Sequence, residues 1–485
     1  MSKQVVLLTG ASGSMGFEAF KLLWEKRGSY EIVLLLLPSR KDKKKFRKYV
    51  KRASPGGDLR IVWGDVLNRE DVVEACHGID WCLHPMALIS PEADRRPEMA
   101  EKVNTRGTRY LVEAIEAEGP DRIKMIYIGT VAEYGDRLPP VHMGRTGDPI
   151  LPSKHDHYAL SKIKGEQAVM QSKIRYRVSL RQTFIMIPGL FSLMDPIMFH
   201  QPINSFMESI TAKDSGRLLV NCLDMPDDSN FWGGYYNISG GPQCRITYLE
   251  FLDRIYRMLG IDYRKVMDRN WFALKNFHMQ FYEDAEKLNA YLHHWEGGDG
   301  MEDYFSVAWR TLPWYLKVTV RLAIAIPPYR WLVKTATRSQ LKKLALMEDG
   351  TMGWISNQDE EKINAFYGSM EAFGNIPAWD QQMPSLDHDL EYTRLNHGYD
   401  ESKEELKLKD LQQAAEFRGG VLLSKEWSGD MHLTLSWKCC QKHAFTMTPH
   451  AVLKGGHWCQ ECISPPWDYN TLAAKNPFAG QVLKS

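Results

Sequence analysis

The sequence predicts an α/β protein with a doubly wound parallel sheet, a smaller substrate-binding domain and a small C-terminal module organised by cysteines. Three observations lead to this prediction. An apolar strand, a glycine-rich turn and a helical segment follow one another at the N-terminus, and further apolar runs alternate with helical segments after them. Four of the eight cysteines crowd together near the C-terminus.

Length and composition are those of a folded, multidomain protein. The chain has 485 residues, of which 44% are hydrophobic and 25% charged, so it can bury a sizeable core in two or three domains. The formal net charge is only +1. Because no overall field attracts the chain to polyanions, we expect no nucleic-acid partner.

The first element is a buried strand over residues 4–8, followed by the turn TGASGSMG and a helix-period segment from Phe17 to Trp24. Glycines in such a turn let a dinucleotide pyrophosphate approach bare backbone at the helix N-terminus, where free N–H groups and the helix dipole bind anions. The residues predicted to bind the cofactor here are Gly10, Ser12, Gly13, Ser14, Met15 and Gly16.

The second strand, residues 31–37, indicates which dinucleotide binds. An NAD site places an Asp or Glu near the end of this strand, but Ser39 and Arg40 follow it instead. An arginine at this place accommodates a 2′-phosphate, so Ser39 and Arg40 are predicted to bind NADP(H). Arg40 opens a run in which nine of thirteen residues are Lys or Arg. We assign the charges from Lys44 onward to a solvated helix face.

Further strands are predicted over residues 61–66, 81–87 and 124–130, with helical segments such as residues 107–117 between them. Parallel strands connected by helices place all their carboxyl ends at one edge of the sheet. The cofactor is therefore expected along that edge, in a doubly wound (Rossmann) arrangement.

Tyr158 and Lys162 form the strongest catalytic signal. Side chains four residues apart lie on one face of a helix, so the phenol and the ammonium share one space. A nearby cation lowers a phenol pKa from about 10, which would make Tyr158 usable as an acid and base. The hydroxyl of Thr130, at the end of a neighbouring strand, would hold the substrate oxygen.

Six motifs in order resemble the extended short-chain dehydrogenase/reductase (NAD-dependent epimerase/dehydratase-like) family, over residues 1 to about 290. They are TGASGSMG, GDV, HPMA, NTRGT, GTVAEYG and YALSK, which begin at residues 9, 64, 84, 104, 129 and 158. The resemblance implies that Tyr158 is the catalytic acid/base and that Thr130 takes the place of the family's Ser/Thr. It implies that Lys162 lowers the pKa of Tyr158 and binds the nicotinamide ribose.

The resemblance also implies further cofactor contacts. Asp65 and Val66 would lie against the adenine, and Met86 would line the cofactor. Asn104 would support a helix bend and a water molecule near Lys162, and Pro188 completes the predicted cofactor-binding residues.

Departures from the family pattern narrow the predicted reaction. Sugar-nucleotide dehydratases of this family carry Thr-Asp-Glu at the catalytic threonine, whereas this chain has Thr130-Val131-Ala132, which argues against dehydration. The strand over residues 180–188 lacks the usual Asn, which argues against a nucleotide-diphosphate substrate. Methionine and aromatic residues over 190–199 suggest an apolar ligand or ordinary core.

The leading hypothesis is an NADPH-dependent oxidoreductase that reduces a carbonyl of an apolar or mixed-polarity small molecule by hydride transfer, with Tyr158 as acid/base. Two alternatives stay open. One is a sugar-nucleotide epimerase that retains bound NAD(P), and the other is a non-enzymatic binding protein that responds to NADP(H). Relatives of this family often dimerise, so a homodimer is also left open.

The segment over residues 314–333 is the most apolar stretch outside the first half. Lys317, Arg321, Pro327-Pro328 and Arg330 interrupt it, so it is not expected to span a membrane. Two interpretations remain: a buried or half-buried helix that closes a hydrophobic substrate chamber, which we favour, or an interfacial helix that makes peripheral contact with a membrane.

The clustered cysteines predict a metal site. Two pairs of thiol or imidazole side chains on two turns suit a tetrahedral structural zinc site, and the pattern resembles zinc-ribbon-like modules. On that resemblance the ligands are Cys439, His443, Cys459 and Cys462. Cys440 offers a rival spacing to His443, and free thiols without metal are the simpler alternative.

The chain is thus divided into an NADP(H)-binding domain with the catalytic Tyr and Lys (residues 1–187), a substrate-binding and helical region partly interleaved with it (188–400), and a helix with the zinc-ribbon-like module (401–485). A charged helix is predicted from Asp400 to Arg418 as the tether of this module. No export signal opens the sequence, and the cysteine pattern is not that of a disulfide scaffold, so we expect a reducing, cytoplasmic setting.

Overall fold

The computed structural model describes residues 3–54, 57–138, 140–141, 143–187, 189, 194–295, 300–380 and 392–483. In chain order the strands are β1 (Gln4–Thr9), β2 (Tyr30–Leu36), β3 (Leu59–Trp63), β4 (Trp81–His84), β5 (Lys124–Thr130), β6 (Met143–Gly144), β7 (Tyr176–Gln182), β8 (Ile185–Met186), β9 (Phe206–Glu208), β10 (Ile210–Thr211), β11 (Tyr235–Ile238), β12 (Arg245–Thr247), β13 (Phe281–Tyr282), β14 (Val421–Leu422), β15 (Leu435–Lys438) and β16 (Ala444–Met447).

The helices are α1 (Ser14–Glu25), α2 (Arg40–Val50), α3 (Arg69–Cys76), α4 (Glu92–Arg95), α5 (Pro97–Ala100), α6 (Thr108–Glu118), α7 (His157–Met170), α8 (Ala212–Asn221), α9 (Tyr248–Met258), α10 (Ala285–Leu292), α11 (Met301–Thr311), α12 (Trp314–Ala325), α13 (Pro327–Ala345), α14 (Thr351–Ser356), α15 (Glu360–Phe366), α16 (Met370–Gly374), α17 (Leu408–Phe417), α18 (Pro449–Leu453), α19 (Tyr469–Lys475) and α20 (Pro477–Leu483).

A seven-stranded parallel sheet forms the centre of the molecule, in the order β11-β7-β5-β4-β1-β2-β3. The predicted Rossmann-like α/β fold is therefore confirmed. The strand order reverses at β1, which pairs with β2 on one side and β4 on the other. A crevice at the carboxyl ends of β1 and β4 is the ligand-binding position of such sheets.

Both faces of the sheet are covered by helices, which explains why its strands are continuous apolar runs. Val6, Leu7 and Leu8 of β1 are all fully buried. On one face the core includes apolar side chains of α1, α2 and α8, and on the other it includes those of α3, α6 and α7.

A third core lies beyond the sheet and is built from α9, α11 and the end of α13. Met198 and Phe199, from the methionine- and aromatic-rich stretch, are buried in this core. They are therefore core side chains, and do not form an open wall for an apolar substrate. Residues 190–193 of the stretch lie outside the described residues.

The C-terminal region packs against the catalytic half. The helix predicted from Asp400 begins only at Leu408, and the chain turns after it at Gly419, whose φ is +66°. Leu411 of α17 belongs to a core that it shares with Leu160 of α7 and Trp437 of β15. This helix is therefore not a simple tether, because its apolar face completes a core common to both regions.

The segment over residues 314–333 is only partly buried, which agrees with a half-buried helix and not with a fully buried one. It forms α12 and the start of α13, and in α12 only Val320 and Ala323 are buried. Trp314 is 76% exposed and Trp331 is 64% exposed. Within the described residues, no helix combines the length and apolar character needed to cross a membrane.

His84 is a fully buried polar residue inside the sheet. Its Nδ1 lies 2.7 Å from the hydroxyl of Thr9, and its Nε2 lies 3.0 Å from the hydroxyl of Thr108. Burial, together with the charge of Lys162, lowers the pKa of His84 from 6.5 to about 3. The folded protein thus holds a neutral imidazole where the unfolded chain binds a proton.

We predict that His84 makes folding acid-sensitive. Between pH 6.5 and about pH 3 the unfolded state binds one proton more at His84, so the free energy of unfolding falls as the pH falls. This group contributes up to about 1.4 kcal/mol per pH unit. The measurement is urea unfolding at several pH values. The free energy of unfolding should depend less steeply on pH in His84→Gln than in the wild type. The exposed-residue control His77→Gln should keep the wild-type slope, and equal slopes for both variants would refute the prediction.

Candidate functional site

The glycine turn after β1 brings three backbone segments into close contact. Gly10 has a φ of +61°, and a Cβ there would lie 2.8 Å from the Cα of Met86, which follows β4. A Cβ at Gly16 would overlap the carbonyl oxygen of Gly10. The turn therefore requires glycine at these two positions, and Met86, which is predicted to line the cofactor, lies beside it.

Helix α1 begins directly at this turn. Its N-cap, Gly13, makes no side-chain capping hydrogen bond, and both Gly13 and Ser14 are exposed while Ser12 is half-buried. The side chain of Met15 is buried in the core, so Met15 offers only its backbone N–H to a ligand. This bare helix N-terminus fits a pyrophosphate group.

The end of β2 leads into α2 with Ser39 as its N-cap. The hydroxyl of Ser39 accepts a hydrogen bond from the backbone N–H of Asp42 at 3.0 Å and donates one to the Asp42 carboxylate at 2.8 Å. Asp42 is thereby engaged in capping the helix. Arg40 is the first residue of α2 and is exposed.

Lys45 corrects the prediction that all charges from Lys44 onward are solvated. Its Nζ donates a hydrogen bond to the carbonyl oxygen of Ser12 at 2.9 Å and lies 3.7 Å from the centroid of the Phe17 ring. Burial lowers the pKa of Lys45. Helical periodicity could have indicated this position. Lys45 follows the buried Asp42 by three residues and precedes the buried Phe46, so it lies beside the buried face of α2.

The residues predicted to hold the adenine lie after β3. Asp65 is half-buried and accepts a hydrogen bond from the N–H of Leu67 at 3.0 Å. Val66 is buried, and a Cβ at Gly107 would lie 2.9 Å from its Cγ1. Pro188, the last predicted cofactor contact, lies outside the described residues.

Asn104 lies in a π-helix, Glu101–Gly107, which is a bend of the kind expected there. Its side chain accepts a hydrogen bond from the N–H of Leu88 at 2.7 Å and donates to the Leu88 carbonyl at 2.9 Å. It also donates to the hydroxyl of Ser161 at 2.9 Å. Asn104 therefore links the loop after β4 to the helix that carries Tyr158 and Lys162.

The structure brings the three predicted catalytic residues together. Thr130 ends β5, and Tyr158 and Lys162 lie on α7, whose N-cap Asp156 accepts from the N–H of Ala159 at 2.7 Å. The side chains of Thr130 and Tyr158 lie near enough to each other for Thr130 to act on the pKa of Tyr158. The chemical roles of these residues and of the cofactor-binding set stay predictions.

The pKa of Tyr158 differs from the expected direction. Burial raises the pKa of Tyr158 above its ordinary value, and the neighbouring Thr130 acts against that rise without reversing it. Lys162 is fully buried, with its Nζ 4.1 Å from the centroid of the Tyr127 ring. Burial lowers the pKa of Lys162 to about 8, against the opposing effect of Glu133 and Glu166.

A buried charged network adjoins Lys162, and the sequence did not predict it. Glu166, one turn after Lys162 on α7, accepts hydrogen bonds from Arg181 of β7 at 3.0 and 2.7 Å. His457 of the C-terminal region lies with its Nε2 2.6 Å from the same carboxylate. A carboxylate oxygen of Glu133 lies 3.5 Å from Arg181 Nε.

The two carboxyl groups of this network differ in protonation. Burial and the neighbouring Glu166 raise the pKa of Glu133. Burial also acts to raise the pKa of Glu166, but Arg181 and His457 outweigh it and hold that pKa low. The Arg181 guanidinium thus balances one ionised carboxylate, and the network needs no metal ion to be neutral.

Three further side chains surround Tyr158. Asp94 accepts a hydrogen bond from the backbone N–H of Tyr158 at 3.2 Å, and burial with the nearby Asp156 raises the pKa of Asp94 to about 6. The rings of His155 and His157 lie 5.2 and 5.3 Å from the ring of Trp467. The C-terminal region therefore reaches the start of the catalytic helix.

The four predicted metal ligands converge on one point. They are Cys439, His443, Cys459 and Cys462, and each brings one sulfur or ring nitrogen atom to within 4.8 Å of the other three. Cys439 and not Cys440 belongs to this set.

The separations suit a tetrahedral metal ion. The sulfur atoms of Cys439 and Cys462 are 3.6 Å apart, and His443 Nδ1 lies 3.4 Å from the sulfur of Cys459. Zinc–sulfur bonds of about 2.3 Å in a tetrahedron place two sulfurs about 3.8 Å apart. The donor set and its geometry therefore fit zinc.

Comparison with known proteins places this geometry in context. Residues 6–193 match the model of the NAD dependent epimerase/dehydratase family. Among solved structures, the chain resembles dTDP-glucose 4,6-dehydratase from Streptomyces venezuelae with NAD bound, with a TM-score of 0.50 and 18% identity over 63% of this chain and 96% of that chain. It resembles dTDP-glucose 4,6-dehydratase from Bacillus anthracis, in complex with NAD, with a TM-score of 0.50 and 17% identity over 65% and 97% of the two chains.

A third similar structure is the UDP-Glc/GlcNAc 4-epimerase from Campylobacter jejuni, with a TM-score of 0.50 and 16% identity over 63% of this chain and 98% of that chain. At these identities the structures show a shared fold. The family match and the motif order agree with that fold. Residues 6–193 of the chain therefore match the NAD dependent epimerase/dehydratase family in sequence and share its fold.

Proposed function

We propose that this protein is an NADP(H)-dependent oxidoreductase that reduces a carbonyl group of an apolar or mixed-polarity small molecule. The observation that carries the proposal is that the side chains of Thr130 and Tyr158 lie together, with Lys162 one turn further along α7. The glycine turn fits a dinucleotide, because side chains at Gly10 and Gly16 would collide with neighbouring backbone and break the tight turn that leads into the uncapped N-terminus of α1. The bound nicotinamide supplies the hydride.

The residues of this chain donate the proton to the substrate oxygen and hold that oxygen in place. Tyr158 is held protonated by its raised pKa, so it is ready to donate a proton to a substrate oxygen that gains negative charge. Thr130 orients that oxygen through its hydroxyl. Lys162, with a pKa of about 8, carries a positive charge at neutral pH and stabilises the phenolate that forms.

Replacement of Tyr158 tests the proposed chemistry. We predict that Tyr158→Phe lowers NADPH-dependent turnover roughly 100-fold or more, because general acid catalysis contributes about that much. NADPH binding should stay unchanged. The measurement is the loss of NADPH absorbance with a panel of aliphatic and cyclic ketones and aldehydes. Tyr110→Phe on α6 is the matched control, and wild-type turnover by Tyr158→Phe would disprove the assignment.

Arg40 provides a separate test of cofactor choice. It is exposed at the start of α2, where a 2′-phosphate is expected, and Asp42 is engaged in capping. Because charge-assisted hydrogen bonds contribute about 1.5–3 kcal/mol, Arg40→Ser should weaken NADPH binding roughly tenfold or more and leave NADH binding unchanged. Lys44→Ser, which removes an exposed charge from the same helix, is the control. Fluorescence titration measures both affinities, and tighter binding of NADH by the wild type would contradict the proposal.

A sugar-nucleotide epimerase that retains its cofactor is the second candidate. The family match and the likeness to a UDP-Glc/GlcNAc 4-epimerase favour it. An epimerase oxidises and re-reduces the same substrate, so it consumes no NADPH. Stoichiometric cofactor that survives dialysis, together with interconversion of UDP-sugars, would support this candidate over the reductase.

We also propose that Cys439, His443, Cys459 and Cys462 hold one structural zinc ion. Four protein ligands leave no open coordination position for substrate. We predict one zinc per chain by elemental analysis of the purified protein, loss of the metal with a lower melting temperature in Cys459→Ser, and an unchanged metal content in Cys440→Ser. Loss of zinc from Cys440→Ser, or a wild-type protein that folds without zinc, would exclude this site.

A further inference from the structure

Helices α12 and α13 form an apolar surface that no described part of the chain covers. We call it the α12/α13 surface. Its exposed apolar side chains are Trp314, Tyr315, Val318, Leu322, Ile324, Ile326, Trp331 and Leu332. Scattered exposed apolar residues are ordinary, but the concentration of these side chains between residues 314 and 332 of one helix pair indicates an interaction site.

The surface is held by a well-packed base. Val320 and Ala323 of α12 are buried, and Leu341 and Leu344 of α13 belong to the third core. The Nε of Arg330 donates a hydrogen bond to the carbonyl oxygen of Ala323 at 2.9 Å, which links the start of α13 to the end of α12. The apolar side chains are therefore presented outward by a folded helix pair.

Charge around this surface is of one sign. Residues 304–347 contain eight Lys or Arg residues and no Asp or Glu, although the whole chain has 61 basic and 60 acidic residues. Arg338 is neutralised by Asp268 at 2.7 Å. Lys317, Arg321 and Lys334 lie among or beside the exposed apolar residues. Apolar contact and attraction to negative charge are thus combined in one place.

We propose that the α12/α13 surface docks onto a lipid bilayer that carries anionic headgroups. Tryptophan and tyrosine favour the boundary between headgroups and acyl chains, and Lys or Arg side chains near an anionic membrane are attracted to its surface. Neither helix spans the bilayer, so the pair lies at the interface with its apolar side chains inserted.

The charge and the apolar character together select this occupant. A second copy of the chain would present the same positive charge and would be repelled. A nucleic acid would satisfy the charge but would leave eight exposed apolar side chains without contacts. An anionic bilayer satisfies both features.

The test is co-sedimentation of the full-length protein with vesicles of phosphatidylcholine, with and without added phosphatidylserine. We expect binding to the phosphatidylserine vesicles that weakens with added salt. Trp314→Ser combined with Trp331→Ser should reduce this binding at least tenfold. The matched control is Val73→Ser combined with Leu433→Ser, which alters exposed apolar residues elsewhere and should bind like the wild type.

Two further measurements make the result decisive. Circular dichroism and melting temperature establish that each variant is folded, which is expected because the replaced side chains are exposed. Light scattering measures the oligomeric state. Absence of vesicle binding by the wild type, or equal binding by the tryptophan variant, would overturn the proposal. A wild-type dimer that the tryptophan substitutions dissociate, without vesicle binding, would assign the surface to a second copy of the chain.

Discussion

The buried ion pair between Glu166 and Arg181 is the interaction on which the arrangement of this molecule depends. A charge removed from water costs several kcal/mol unless a partner compensates it, so the two residues must be brought together during folding. One lies on the catalytic helix and the other in the central sheet. His457 completes the set from the C-terminal region. The ion pair therefore fixes three distant parts of the chain relative to one another.

The catalytic and metal regions are connected through this network. Lys162 lies one turn before Glu166, and Cys459 lies two residues after His457. The shared core of apolar residues surrounds the same junction. The helix that carries Tyr158 and Lys162 is thus supported by Asn104 on one side and by the C-terminal region on the other. The C-terminal region is therefore not an independent module attached to a dinucleotide-binding domain.

Local patterns predicted much of the fold and part of the site. The strand, glycine turn and helix at the N-terminus, the order of parallel strands and the metal ligand set all depend on residues close in sequence. The buried charged network was not predicted. Its members come together only through tertiary packing, so no spacing pattern in the sequence indicates it; they are Glu133, Glu166, Arg181 and His457. The exposure of α12 and α13 was not predicted for a related reason: apolar content alone does not distinguish a fully buried helix from a half-buried one.

The position of His457 has a consequence for how the chain folds during synthesis. Domains of a growing chain usually fold from the N-terminus as each one is completed. Here the N-terminal half contains a buried carboxylate, Glu166, whose histidine partner His457 is encoded 291 residues later. Until that segment emerges, the nascent N-terminal half holds a buried ion pair that lacks one hydrogen-bond partner, and an apolar face that is still open. A chain of this design depends on protection by chaperones for longer than a domain that completes its own core.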